Sequence, residues 1–253
     1  MRAFTPEILR FDSLPSTNLE AARRAVAGAP EGLCIVAGEQ TAGRGRRERH
    51  WVSPKDAGLY FSILLRPTLE QSDWSLITLM SAVAAQETLT EACALRTDIK
   101  WPNDLLHNEL KLCGILAETV ATSLGRAIVV GIGINLTSGS VPPELGQVAT
   151  SVEAGAGQRP DLELVLKALV RSFADRYQRL QQPGGSVGIR REWCARSSYC
   201  RGKIVRVTEG LTSFEGITRG LEPSGALRVE TDEGEMRIVC AGDVSSVRPA
   251  PDR

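Results

Sequence analysis

The sequence predicts an α+β protein in two parts: a mixed β-sheet domain flanked by helices over residues 1–195, and a small β-barrel over residues 200–249. Three observations carry that prediction. Through the first part, apolar runs bounded by turn residues alternate with stretches of helical periodicity. After about residue 200 the helical period disappears, and short alternating strands follow one another through glycine-containing turns every ~8–12 residues. A chain of 253 residues with 42% hydrophobic and 24% charged side chains is long and apolar enough to bury a core without staples.

The elements follow in order. Residues 11–30 read as a short strand, a turn and a helix. Ser16 or Thr17 caps that helix, Leu19, Ala22 and Val26 form its apolar stripe, and Gly28 and Pro30 stop it. Residues 32–40 hold a buried strand, and a Gly/Arg-rich loop follows as far as Pro54. A strand is predicted over residues 58–66, a long helix over 72–94 and a strand over 94–101 that ends at the turn-forming Pro102-Asn103-Asp104. Residues 104–120 form a hairpin with His107-Asn108-Glu109 at its tip, and residues 127–136 a further strand. A Pro/Gly-rich connection leads to a helix over 161–180, with Asp161 placed where the helix dipole favours it. Residues 181–188 then break the chain.

Charge and composition exclude several classes. Thirty Lys+Arg balance thirty Asp+Glu, so the whole chain has no electrostatic pull toward nucleic acid or membrane, and any basic site is local. No apolar run approaches the ~18–20 residues that cross a bilayer. Pro6, Glu7, Arg10 and Asp12 interrupt the stretch where a signal peptide is apolar. Six cysteines without a C-x-x-C pair, and only two histidines, argue against zinc and for reduced, small core residues. A soluble cytoplasmic protein with no dedicated metal site is expected.

Three segments stand out chemically. Residues 43–51, GRGRRERHW, place four arginines in nine residues. Glycine admits close backbone approach and Arg forks bind phosphate or carboxylate oxygens in pairs. On composition alone, a solvated basic loop or a nucleic-acid patch is the readier reading; it is not a Walker loop. KWPNDL at residues 100–105 is followed by KLCGIL at 111–116, where Lys111 opens an apolar strand; the pattern fits an exposed lysine at the strand mouth or, if that mouth is a pocket, a fixed point charge for a phosphoryl or acyl oxygen. The third is GIGIN at 131–135, whose alternating glycines in a buried strand mark close approach of a ligand or of another backbone. No G-x-S-x-G elbow accompanies His50 or His107, so Ser and Cys hydrolase schemes are set aside.

In order along the chain, STN (16–18), EQTAGRGRRERHW (39–51), KWPNDL, KLCGILAE, GIGINL and the closing GDVSSVR together resemble the biotin protein ligase family, over residues 11–248. The resemblance implies a catalytic domain like those of class II aminoacyl-tRNA synthetases and biotin–lipoate ligases, followed by an SH3-like β-barrel. Ten residues before the first strand leave no room for the DNA-binding helix-turn-helix of bifunctional members, so the monofunctional type is expected. It also implies ATP-dependent activation of biotin, with Mg2+, to biotinyl-5′-AMP. Transfer then follows to a lysine of a biotin carboxyl carrier protein domain, in acetyl-CoA carboxylase or a related carboxylase. Neither DNA nor membrane is a partner, and the chain is expected as a monomer or homodimer.

Residue by residue, the resemblance assigns biotin to Ser16, Thr17, Asn18, Gln40, Gly43, Arg44, Arg46, Lys111, Gly114, Gly131 and Gly133. It assigns ATP to Arg46, Arg49, Trp51, Asn103, Lys111 and Asn135. Lys111 and Arg46 are the implied electrostatic catalysts, and Asp104 lies near the incoming acceptor lysine. Two departures accompany it: Glu48 stands where the common family loop has glycine, and Cys113 where alanine is more common. A lipoate protein ligase is the alternative enzyme, separable by which acid drives pyrophosphate exchange. A nucleic-acid binder is the alternative of another class, and would bind in strongly salt-dependent fashion through Arg44, Arg46, Arg47 and Arg49. A non-catalytic biotin-binding regulator is the third.

Overall fold

The structure, a computed structural model, describes residues 4–247; Arg248 and Pro249, where the motif set and the expected barrel end, lie outside the described residues. A seven-stranded mixed sheet organises the first part, in the order β1-β2-β3-β7-β6-β5-β4. Its strands are β1 Glu7–Phe11, β2 Leu33–Ala37, β3 Gly58–Leu65, β4 Asp98–Lys100, β5 Asp104–His107, β6 Leu110–Thr122 and β7 Gly125–Asn135. Only β1 and β2 run parallel, and every other neighbouring pair is antiparallel. The apolar β2, and β3 with Ser62 as its one hydroxyl apart from that of Tyr60, are buried along their whole length, as strands covered on both faces require.

Helices α2 Ser75–Cys93, α4 Leu162–Leu180 and α5 Gly185–Arg196 cover one face and share its core, which includes Phe61, Met80, Phe173, Tyr177 and Trp193. Fully burying each such large side chain contributes about 1.5–3 kcal/mol. Asp161 caps α4, accepting from the Glu163 and Leu164 amides. Arg176, 2% exposed, binds Glu87 of α2 and Glu192 of α5, tying the three helices together. Short α3, Val152–Ala156, lies within the Pro/Gly-rich connection.

The other face is covered at one end by α1, Thr17–Val26, and left open at the other, where the candidate site lies. Here the structure corrects the expected stripe. Leu19 and Val26 are exposed, and α1 buries Thr17, Asn18, Ala21 and Ala25 instead. The small alanines let the helix sit close on Ile35, Leu64 and Val129, and the two polar residues face the site. Ser16 holds the cap position, but its side chain makes no capping bond.

Two further corrections concern the join to the second part. Residues 181–188 do not simply break the chain, because α5 begins within them at Gly185; the Gly184 αL conformation supplies the turn. Cys194 and Cys200 form a disulfide, their Cα atoms 5.1 Å apart. The end of α5 turns back on the following strand and brings the two side chains together, so the six cysteines are not all reduced. Cys34, Cys93 and Cys113 are free and buried, whereas Cys240 is exposed and is no core residue.

The second part is a five-stranded antiparallel sheet, in the order β11-β10-β9-β8-β12. It is built from β8 Arg201–Glu209, β9 Thr212–Leu221, β10 Leu227–Thr231, β11 Met236–Val239 and β12 Asp243–Ser246. Val205, Val207, Leu227 and Val229 join the main core cluster. The Trp101 indole donates to the Gly225 carbonyl at 3.0 Å, and the Trp101–Pro102 peptide is cis. Among the described residues no helix is long and apolar enough to cross a membrane.

Candidate active site

The basic segment folds as a tight hairpin over the open end of the sheet. Arg44 pairs with His50, the Gly45 amide donates to the Arg49 carbonyl at 2.7 Å, and the Trp51 amide to the Gly43 carbonyl at 3.0 Å. Its turn places Arg47 at φ 55° and Glu48 at φ 60°. Two successive positive φ values suit Asn and Gly better than side chains with long stems. Glu48, where the resemblance implies glycine, thus sits at a strained backbone position. Among the described residues Glu48 pairs with neither Arg46 nor Arg49. Instead, Arg46 donates to the Asn103 side-chain carbonyl at 3.0 Å, while Arg47 and Arg49 both bind Asp243 at the start of β12.

Beneath the hairpin lie two adjoining hollows. The first has a polar floor where α1 meets the sheet, formed by Ser16, Thr17, Asn18 and Gln40, with Arg44, Arg46 and Asn103 on its wall. Thr17 and Asn18 are almost wholly buried and hydrogen-bonded. The Thr17 amide and hydroxyl donate to Gln40 Oε1 at 2.8 and 3.0 Å, and the Gln40 amide donates to Ser53 Oγ at 2.8 Å. The second hollow is walled by residues 140–149 and contains Asn135, whose amide donates to the Thr150 carbonyl. Arg49, Trp51, Asp104 and Lys111 line both hollows.

Lys111 stands at that junction because β6 starts beside a bulged rung of β5. Its ammonium lies 2.7 Å from Asp104 and 5.4 Å from the centroid of the Trp51 ring. The Lys100 ammonium is 3.8 Å from the other Asp104 oxygen. Partial burial draws the Arg46 pKa below its ordinary value, offset by the charge of Asp243. Burial pushes the Cys113 thiol well up, which keeps it an unreactive neutral group.

The glycine pattern has a direct steric reason. A Cβ on Gly133 would lie 2.6 Å from the Trp51 ring, and one on Gly131 would lie 2.2 Å from the Asn18 side chain. What approaches these strands is thus this chain's own Trp51 and Asn18, and Gly114 is likewise covered by Trp51 and Lys111. Gly43 lies in neither hollow; a side chain there would strike the Trp51 carbonyl and Ser53 at the hairpin base.

Every other residue that the resemblance assigned to biotin or ATP, and Asp104, lines one hollow or both. Sequence reasoning missed Ser53, Ser62, Glu118 and Asp243. Ser62 carried a signal, a lone hydroxyl inside an otherwise apolar strand, and it is 0% exposed. Asp243 sat in the GDVSSVR motif, but nothing in the spacing indicated that it would reach the hairpin. Among the described residues no group of three or more His, Cys, Asp or Glu is arranged to hold a metal ion.

A polar-floored hollow shares a lysine with a second one beneath an arginine hairpin, an arrangement with room for two small molecules side by side and with cations suited to an anionic one. Comparison with known proteins names the class. The profile described as "Biotin/lipoate A/B protein ligase family" matches residues 8–135, and that of the "Biotin protein ligase C terminal domain" matches residues 202–246. The chain belongs to the biotin protein ligase family.

It is 37% identical to the bifunctional ligase/repressor BirA of Bacillus subtilis, over 92% of this chain and 72% of that protein. It is 36% identical to a biotin–[acetyl-CoA-carboxylase] ligase of Paracoccus denitrificans, over 89% of this chain and 95% of that one. Among solved structures, the biotin protein ligase from Aquifex aeolicus in complex with biotin and ATP superposes with a TM-score of 0.83 at 26% identity, covering 96% of this chain and 99% of the other.

Proposed function

We propose that the protein activates biotin with MgATP to biotinyl-5′-AMP and passes the biotinyl group to a lysine of a biotin carboxyl carrier domain. The observation that carries this reading is the position of Lys111, shared by the two hollows. The polar floor suits the ureido ring of biotin, which needs both donors and acceptors, and the second hollow suits the nucleotide.

In the first step a biotin carboxylate oxygen attacks the α-phosphorus of ATP. A C–O–P link forms and the bond to the pyrophosphate oxygen breaks. Two anions approach each other, so fixed cations in a partly dehydrated site lower the barrier more than solvated ones do. Lys111 and Arg46 supply that charge, with Arg44 and Arg49 at the mouth. Mg2+ enters with ATP as part of the substrate. The hairpin keeps water from the mixed anhydride. In the second step the carrier's lysine amine attacks the acyl carbon, AMP leaves with the bonding pair, and the amine gives up a proton. Asp104, at the junction, orients that amine and receives the proton.

The division at residues 195–200 into a catalytic domain and an SH3-like module is part of the same proposal. In it the second module holds the hairpin through Asp243. Incubation with biotin, MgATP and a carrier domain tests the reading. Mass spectrometry is expected to find one biotinyl group on the carrier lysine and none on a Lys→Arg carrier. Transfer of lipoate alone would overturn it.

A further inference from the structure

We propose that Glu118, on β6, is a positioning residue that sets both the polar floor and the arginine hairpin for biotin. This rests on the ligase reading above and names one more residue of that site.

Asn18 stands at the centre of the floor's hydrogen bonds. Its amide nitrogen donates to Glu118 Oε2 at 2.8 Å and lies 3.3 Å from the Leu116 carbonyl. Both partners are pure acceptors, so the amide has one permitted orientation. Its Oδ1 must face the other way, toward Ser62 Oγ at 2.6 Å. Ser62 Oγ is also 2.7 Å from Thr17 Oγ1, which in turn contacts Gln40. Two hydroxyl protons serve three contacts there, so the floor has acceptor capacity left over for a donor from outside. Without Glu118, Asn18 could flip, and the excess of acceptors that suits the N–H groups of a cyclic urea would disappear.

Glu118 Oε1 lies 3.0 Å from Arg44 Nη2. One carboxylate therefore joins the buried floor to the first arginine of the hairpin. Asn18 is 4% exposed, whereas the Arg44 side chain is 45% exposed, so the two arms separate by environment. The Asn18 arm is a sheltered hydrogen bond to a charged acceptor, which is costly to remove. The Arg44 arm is a solvent-screened pair that biases the hairpin.

Biotin-dependent ATP–pyrophosphate exchange, with release of biotinyl-5′-AMP into solution as a second readout, tests the proposal. Glu118→Ala is expected to raise KM for biotin about tenfold while kcat changes little, and to leak adenylate. Glu118→Gln still offers a carbonyl to Asn18 but has no charge for Arg44, so it is expected to restore KM and still leak. Should Glu118→Ala fail to fold, the near-isosteric Gln variant carries the test. Overturning results are a Gln variant equal to active wild type in both readouts, or an Ala variant that loses kcat with KM unmoved. A wild type without biotin-dependent exchange would overturn the ligase reading and this proposal together.

Discussion

Asp104 Oδ1 and Lys111 Nζ meet at 2.7 Å between β5 and β6, so the cation common to the two hollows is held by a carboxylate of the same site. The pair keeps the ammonium at the junction of the two hollows while leaving its other donors free. Lys111→Ala is expected to lower kcat for adenylation by roughly 10²–10³ with the melting temperature little changed, as exchange kinetics and calorimetry would show. Asp104→Asn keeps an oxygen to hold the ammonium but no charge to take a proton, so it is expected to slow the transfer step far more than adenylation. Single-turnover transfer from preformed adenylate separates the two, and equal losses in both steps would contradict the division of labour.

Asp243 is the second part's hold on the hairpin, since it binds both Arg47 and Arg49. Asp243→Ala is expected to loosen the hairpin without unfolding either sheet, because the shared core lies elsewhere. Adenylate release should rise several-fold and the thermal midpoint should stay. An unchanged release rate would mean that the ion pairs do not order the loop.

Glu48 sits at φ 60° beside Arg47 at φ 55°. Glycine removes the Cβ strain there but leaves more freedom to lose, so Glu48→Gly is expected within about 1 kcal/mol of wild type in loop ordering. Glu48→Val places a β-branched side chain at positive φ and is expected to cost more. Adenylate retention reads the difference, and a valine variant that retains adenylate as well as wild type would contradict the turn geometry.

Glu87 links stability to pH. A hydrogen bond from Arg176 is the largest cause holding its carboxyl at about 2, against an ordinary 4.5. The folded state therefore gives up this proton more readily than the unfolded state. The resulting stabilisation is complete above about pH 4.5 and is lost as pH falls toward about 2. Thermal melts across that window are expected to show a falling midpoint, with a shallower fall in Glu87→Gln.

Element order was largely legible because periodicity reflects local chain geometry, and the candidate site residues were assigned from the ordered motifs and the family they resemble. What was not legible depended on long-range packing. The α1 stripe was misread because Leu19 and Val26 have helical spacing, yet only alanines fit against the sheet. Helix α5 was hidden by the glycines at its own start. Cys194 and Cys200 are six residues apart, a spacing that does not reveal pairing. Asp243 reaches Arg49 across 194 residues, and no local pattern encodes such a contact. Glu118 was visible as a residue of KLCGILAE, but its link to Asn18 exists only once α1 has docked.

The central claim is that this site activates biotin. ATP–pyrophosphate exchange with purified protein and MgATP, in parallel with biotin, lipoate or no acid, tests it most directly. Exchange is expected with biotin alone, and is expected to be abolished in Lys111→Ala. Exchange driven by lipoate alone, or undiminished biotin-dependent exchange in Lys111→Ala, would contradict it.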